Sequence, residues 1–159
     1  MKLSTKGKYG VRAVFEIARH YGKGPITIKE IADRQGISFS YLEQILHKLG
    51  KAGVIESVRG PGGGYLLARK PADLTIGDVV RTLEGPIALS HCLAPGESAG
   101  CNQGDDCVAR MVWVKVGEKI EEALDSISFD DLLHRQRSQK EAVVLRVGRK
   151  APLMGKGVC

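Results

Sequence analysis

Residues 54–68 read VIESVRGPGGGYLLA. Two short alternating stretches, Val54–Val58 and Gly64–Ala68, enclose the run Arg59-Gly60-Pro61-Gly62-Gly63. Alternating apolar and polar residues mark a half-buried strand, and clustered Gly and Pro mark a turn, so the segment is read as a two-stranded hairpin. Its tip is too rich in glycine to pack against a core. Glycines let a backbone come close to phosphates, and Arg59 at the tip can enter a narrow, strongly negative minor groove. The plain alternative is a surface hairpin with an incidental arginine.

The residues upstream weigh on that choice. A first helix is expected over Lys6–His20, where Tyr9, Val11, Ala13, Val14, Ile17 and Ala18 recur at helical spacing. Gly22 to Pro25 reads as a turn. Thr27 then has the chemistry of an N-cap, with Glu30 three residues on to complete a capping box, and the helix IKEIADRQ follows with Ile28, Ile31 and Ala32 inward. Gly36 ends it, Ile37 is the expected buried staple, and Ser38 caps a further helix with Leu42, Ile45, Leu46 and Leu49 on one side. Helix, tight glycine turn, helix is the arrangement of a helix-turn-helix, although two helices alone suit a plain helical hairpin equally well. A hairpin directly after them reads as a wing. The second helix then offers Ser38, Ser40, Tyr41, Glu43, Gln44 and Lys48 to DNA, and the wing offers Arg59, Gly60 and Gly62.

Charge follows the same division. Residues 1–70 carry 13 Lys/Arg against 5 Asp/Glu, residues 71–134 carry 4 against 12, and residues 135–159 carry 7 against 1. A basic block followed by an acidic one suggests that the first meets a polyanion and the second does other work. Aromatic residues are 5% of the 159, which argues against a sugar-binding or base-stacking surface. No run approaches the ~18 apolar residues that span a bilayer, and the N-terminus lacks the apolar stretch of a signal peptide, so a cytoplasmic protein with no membrane partner is expected. No nucleophile–base pair or paired-carboxylate motif is visible. The GPGGG run is not a phosphate loop, because no Gly-Lys-Ser/Thr follows it. Neither an enzyme nor a small-molecule substrate is expected.

Beyond a short helix at Thr75–Leu83, residues 85–106 lack periodicity, and a longer helix is expected over Cys107–Ile127. Val108, Met111, Val112, Val116, Ile120, Ala123, Leu124 and Ile127 form its apolar stripe, with Trp113 beside it. About 20 residues span roughly 30 Å, longer than so small a winged domain needs. The stripe is expected to meet the same helix of a second subunit, with packing inside one monomer as the alternative. A last helical turn, FDDLLHRQ, starts at Ser126 or Ser128, and residues 135–159 read as a mobile basic tail.

Cys92, Cys101 and Cys107 are spaced C-x8-C-x5-C, and Cys159 stands alone. Three thiols in an irregular loop can fold around a metal. Zinc usually takes a tighter cysteine pair and a fourth ligand, whereas wide spacing suits an iron–sulfur cluster, whose irons lie apart. Redox-sensing thiols without metal remain the competing reading.

The stretches KYGVRAV, IADRQGISFSYLEQIL and VRGPGGGYLLA together resemble the IscR-type regulators of the Rrf-two family, from residue 1 to about 134. The resemblance implies a mostly α fold: a winged helix-turn-helix with a two-stranded β-wing and a long dimerisation helix. It divides the chain into a DNA-binding domain at 1–84, a cluster-binding loop at 85–106, a dimerisation helix and last short helix at 107–134, and a basic tail. It further implies a homodimer on pseudo-palindromic double-stranded promoter DNA. Ser40, Tyr41, Glu43 and Gln44 would face bases or phosphates, and Arg59 would enter the minor groove. An iron–sulfur cluster, [2Fe-2S] in preference to [4Fe-4S], would be held by Cys92, Cys101 and Cys107. Where the family pattern has a histidine three residues after the third cysteine, this chain has Arg110, and its first cysteine gap is longer. Relatives that borrow a carboxylate from the partner's first helix have it near position 8, which is Lys8 here. The fourth ligand is therefore open, with His91, Glu97, Asp105, Asp106 and Cys159 as candidates. The expected function is a transcriptional regulator whose promoter affinity depends on the cluster; the alternative is a metal-free winged-helix regulator controlled by thiol oxidation or a protein partner.

Overall fold

The computed structural model describes residues 4–90, 93 and 107–148. In order, these form α1 (Thr5–Arg19), α2 (Ile28–Gln35), α3 (Phe39–Lys51), β1 (Ile55–Val58), β2 (Gly64–Leu67), a 3-10 turn at Pro71–Asp73, α4 (Ile76–Glu84), α5 (Val108–Asp125) and α6 (Phe129–Gly148). The helix starts follow local side-chain chemistry. Thr27 Oγ1 accepts the Glu30 N–H at 3.2 Å while the Glu30 carboxylate accepts the Thr27 N–H at 3.0 Å, the reciprocal box expected at α2. Thr75 with Asp78 repeats it at α4, and Ser128 with Asp131 at α6. Ser38 holds the N-cap position of α3 without a side-chain cap bond, so its hydroxyl remains available.

The core joins α1, α3 and α4. Ala13, Val14, Leu42, Ile45, Leu46, Leu49 and Val79 are each 0% exposed. Ile37, between α2 and α3, is buried as expected, and Gly36 before it takes the left-handed conformation (φ 62°) that closes α2. Phe129 and Leu133 of α6 are buried in this same core, so the chain returns to the winged domain after α5.

β1 and β2 pair antiparallel, with Ile55 opposite Leu67 and Val58 opposite Gly64. A third segment, unforeseen in the sequence, pairs with them: Tyr65 N–H donates to Ile26 O at 2.8 Å, and Ile26 N–H donates to Tyr65 O at 3.1 Å. The wing is therefore laced to the residues just before α2.

One expectation needs correction. The sequence reading has residues 135–159 as a mobile tail, yet α6 continues to Gly148. Residues 135–147 contain no Gly or Pro that would stop the helix. Among the described residues the first half of the α5 stripe stays bare: Val108 is 72% exposed, Met111 65% and Val112 49%. Gly117 is the buried residue of α5.

At its C-terminal end α5 is clamped to α4. Arg81 donates two hydrogen bonds to the Asp125 carboxylate at 2.7 and 3.0 Å, Ile76 N–H donates to Ile127 O at 2.9 Å, and Phe129 N–H donates to Leu74 O at 3.0 Å. The bond from Arg81 holds the Asp125 carboxyl below its ordinary pKa. A carboxylate stabilised in the folded state contributes above its unfolded pKa of about 4, and loses that contribution as pH falls through the lower folded value. Asp125→Asn is therefore expected to cost about 0.5–1 kcal/mol at pH 7, and the gap is expected to shrink as pH falls below about 4 towards the folded-state value, as read from melting curves across the acid range. A gap persisting at low pH contradicts the assignment.

At Gly64 a Cβ would lie 2.3 Å from Ile26 O and 3.0 Å from Thr27 N, both rigid backbone atoms. Gly64→Ala is expected to destabilise the domain by about 1–3 kcal/mol in denaturant unfolding and to speed amide exchange at Ile26 and Tyr65. Unchanged exchange there would show that the third segment does not hold the wing.

Candidate nucleic-acid interface

The burial of one side of α3 leaves the other side bare. Ser38, Phe39, Ser40, Glu43, Gln44, His47 and Lys48 are all exposed. Glu43 and Gln44 make no hydrogen bond or ion pair with another described residue, so their polar atoms are free to meet a partner. Short polar side chains near the start of such a helix are the types that reach base edges in a major groove. Glu43 can accept from a cytosine amino group and repels phosphate, which favours some sites over others. Phe39, 52% exposed at the first turn, presents an apolar ring of the kind that contacts a thymine methyl.

The wing stands beside this face. A groove between them is lined by Glu43, His47 and Lys51 of α3 and by Glu56, Ser57 and Tyr65 of the hairpin. Sequence reading does not single out His47 and Lys51 as DNA contacts; their helical spacing from Glu43 is the one signal available. Arg59 is exposed at the tip. The neighbouring Gly60 and Gly62 have φ of 100° and 75°, a backbone region costly for any other residue. The tip's glycines therefore answer first to the turn itself; close approach to phosphates follows from the same lack of side chains.

Tyr41 departs somewhat from the rest of the set. It is half-buried, and its ring meets Tyr9 of α1 edge to face, with centroids 6.0 Å apart. The structure thus brings Ser38, Ser40, Glu43, Gln44 and Lys48 onto one exposed helix surface, with Arg59, Gly60 and Gly62 on the adjoining wing. Tyr41 lies at its border.

Behind this surface is a charged anchor that sequence reading misses. Glu16 of α1 is 3% exposed and accepts from Gln35 Nε2 at 2.7 Å, Arg19 at 3.0 Å and Arg34 at 3.4 Å. A buried carboxylate is tolerated when it is paired in this way, and the pairing ties α1 to α2. The i,i+3 spacing of Glu16 and Arg19 is its one signal in the sequence.

Of the cysteines, Cys107 is described. It is half-buried at the N-cap of α5, forms no disulfide and makes no cap hydrogen bond, so its sulfur is free for other chemistry. Cys92, Cys101 and Cys159 lie outside the described residues, as do His91, Glu97, Asp105 and Asp106. Lys8 is exposed on α1, and Arg110 sits one turn into α5. Among the described residues no helix is long and apolar enough to cross a membrane.

Comparison with known proteins agrees with this geometry. The chain is 41% identical over 133 residues to the HTH-type transcriptional regulator IscR of Aliivibrio salmonicida, covering 84% of this chain and 77% of that one. Among solved structures it is similar to T. potens IscR, with 43% identity and a TM-score of 0.71 over 99% of this chain and 94% of that one. It is also similar to CymR, the global cysteine regulator of B. subtilis, with 36% identity and a TM-score of 0.71 over 83% and 95%. These relatives are regulators rather than enzymes, and winged-helix regulators in fold, as the sequence led us to expect. Residues 3–135 match the Rrf2 family, described as iron-dependent transcriptional regulators, and it is to this family of DNA-binding regulators that the chain belongs.

Proposed function

We propose that two copies of this chain bind a pseudo-palindromic promoter, and that an iron–sulfur cluster held by Cys92, Cys101 and Cys107 sets the affinity. The observation that carries the DNA reading is the bare polar face of α3 beside a wing tipped by Arg59. The α3 side chains read base edges, and the Arg59 guanidinium enters the flanking minor groove. The exposed apolar face of α5, which includes Met111, Val112 and Trp113, supports pairing with the same helix of a second copy. Two recognition helices then reach half-sites about one DNA turn, roughly 34 Å, apart.

The donor set fits the cluster in kind, since Cys107 offers a thiol used in no other bond and a helix N-terminus favours negative charge. A [2Fe-2S] group is favoured, and when bound it supplies a centre that responds to redox state, nitric oxide or iron–sulfur supply. This chain's own residues carry the response. Cys107 sits at the N-terminal end of α5, whose other end is tied to α4 by Arg81 and Asp125. A shift at the first end alters the tilt of α5 against the winged domain, and so the relation of the two α3 helices. Couplings of this kind typically amount to ~1–3 kcal/mol, about 5- to 150-fold in affinity.

The free thiol of Cys107 also favours a second reading, thiol oxidation without metal. Anaerobically purified protein decides between them. Visible absorption with counted iron and sulfide supports the cluster; a colourless, iron-free protein supports the thiol.

Cys107→Ala is expected to lose that absorption and to change operator affinity about 5- to 150-fold at fixed salt. Equal affinities with and without the cluster would remove the sensing claim. Arg59→Ala is expected to weaken operator binding by about 1–3 kcal/mol in fluorescence anisotropy, and an unchanged affinity would remove the wing from the interface.

A further inference from the structure

A duplex has a sugar-phosphate strand wherever its major groove gives way to its minor groove. With α3 in the one and Arg59 in the other, that strand has to pass between α3 and the hairpin. The space for it is present, as a cleft of about 660 Å³ between the two elements. The α3 wall of the cleft is a single row, Glu43, His47 and Lys51, whose spacing of four residues keeps them on one side of the helix. At 1.5 Å per residue the row is about 12 Å long. The hairpin wall carries Glu56, Ser57 and Tyr65, the last two opposite each other in the strand register.

The row is graded in charge. Glu43 stands toward the start of α3, the end that reaches base edges, and Lys51 is the last residue of the helix. Glu43, His47, Lys51, Glu56 and Ser57 are all exposed, and none makes a side-chain hydrogen bond or ion pair with another described residue. The cations and carboxylates of the cleft therefore do not neutralise one another. A carboxylate repels phosphate and an ammonium attracts it, so Glu43 turns the strand away from the first end of the row and Lys51 draws it to the other. On β1, alternation sends Ser57 to the face of Tyr65 and Glu56 to the opposite face, so the hairpin offers the strand a hydroxyl donor. Lys51 also complements the C-terminal end of the helix dipole, a role that stability reads and salt dependence of DNA binding does not.

We propose that the sugar-phosphate strand dividing the two DNA grooves lies in this cleft, with a phosphate held by the Lys51 ammonium and a ring N–H of His47. Both side chains touch phosphate oxygens rather than base edges, so they set how deep α3 and the wing sit and add affinity without choosing sequence. This rests on the reading that α3 lies in a major groove and Arg59 in the adjoining minor groove.

The test is binding of the full-length protein to a fluorescein-labelled operator duplex, followed by anisotropy over a range of KCl concentrations. For Lys51→Gln, the slope of log K against log[salt] should shrink by about 0.9 for the phosphate no longer neutralised, or about 1.8 in a dimer. Affinity for an unrelated duplex should fall by the same factor as affinity for the operator, leaving their ratio unchanged. His47→Ala should lower both affinities alike. Lys70→Gln, beside Leu133 and Gln136 on the α6 side of the domain, should leave the slope unchanged. The position of the contact is read by replacing single operator phosphates with neutral methylphosphonates. A replacement on the strand between the major-groove and minor-groove footprints should weaken the native protein and leave Lys51→Gln as it is on the unmodified duplex. Melting curves of all variants confirm folding. An unchanged slope in Lys51→Gln overturns the proposal, as does an unchanged affinity in His47→Ala, an equal slope reduction in Lys70→Gln, or equal sensitivity of the native protein and Lys51→Gln to every methylphosphonate. If Arg59→Ala still weakens binding in that case, the reading of α3 and the wing survives.

Discussion

The roll of α3 about its own axis is the constraint on which the rest of the molecule depends. Leu42, Ile45, Leu46 and Leu49 are each 0% exposed. Burying one such side chain contributes about 1.5–3 kcal/mol, so four contribute on the order of 6–12 kcal/mol, comparable with the whole stability of a small domain. Turning α3 to hide its polar face would forfeit most of that. The outer face therefore stays outward, and its availability to DNA follows from hydrophobic burial on the opposite side.

The surrounding elements hold α3 at a set height and angle. Glu16 fixes α1 to α2 through Arg34 and Gln35, and the bridge between Ile26 and Tyr65 keeps the wing from swinging away from the helix pair. Phe129 and Leu133 bring α6 back into the same core. The helix α5 is treated differently: it is fastened at Asp125 and left with an apolar surface toward its other end. A helix anchored at one end and bearing a thiol at the other is suited to turn a change near the cysteines into a change of angle.

Much of this is legible in the residues, because the decisive signals are local. Thr27 with Glu30, Gly36 and Ile37 mark the helix-turn-helix through capping, turn and burial chemistry within a short stretch of chain. The wing is marked by two alternating strands around a glycine run. What escapes involves partners distant in sequence or signals of another kind. Ile26 pairs with Tyr65 from the far side of α2 and α3, Glu84 caps a helix 77 residues before it, and Asp125 meets Arg81 from 44 residues away. No spacing rule reaches that far. The extension of α6 escapes for a different reason: its one mark is the absence of Gly and Pro through residue 147, with no cap or turn to signal it.

The most direct measurement is a paired chemical footprint on a promoter that the protein binds. Methylation at guanine N7 reports the major groove, and hydroxyl-radical cleavage reports the minor groove. The account predicts two patches of major-groove protection about one helical turn apart, each bordered by a minor-groove protection that vanishes in Arg59→Ala. Protection confined to the minor groove, or a border that persists without Arg59, would contradict it.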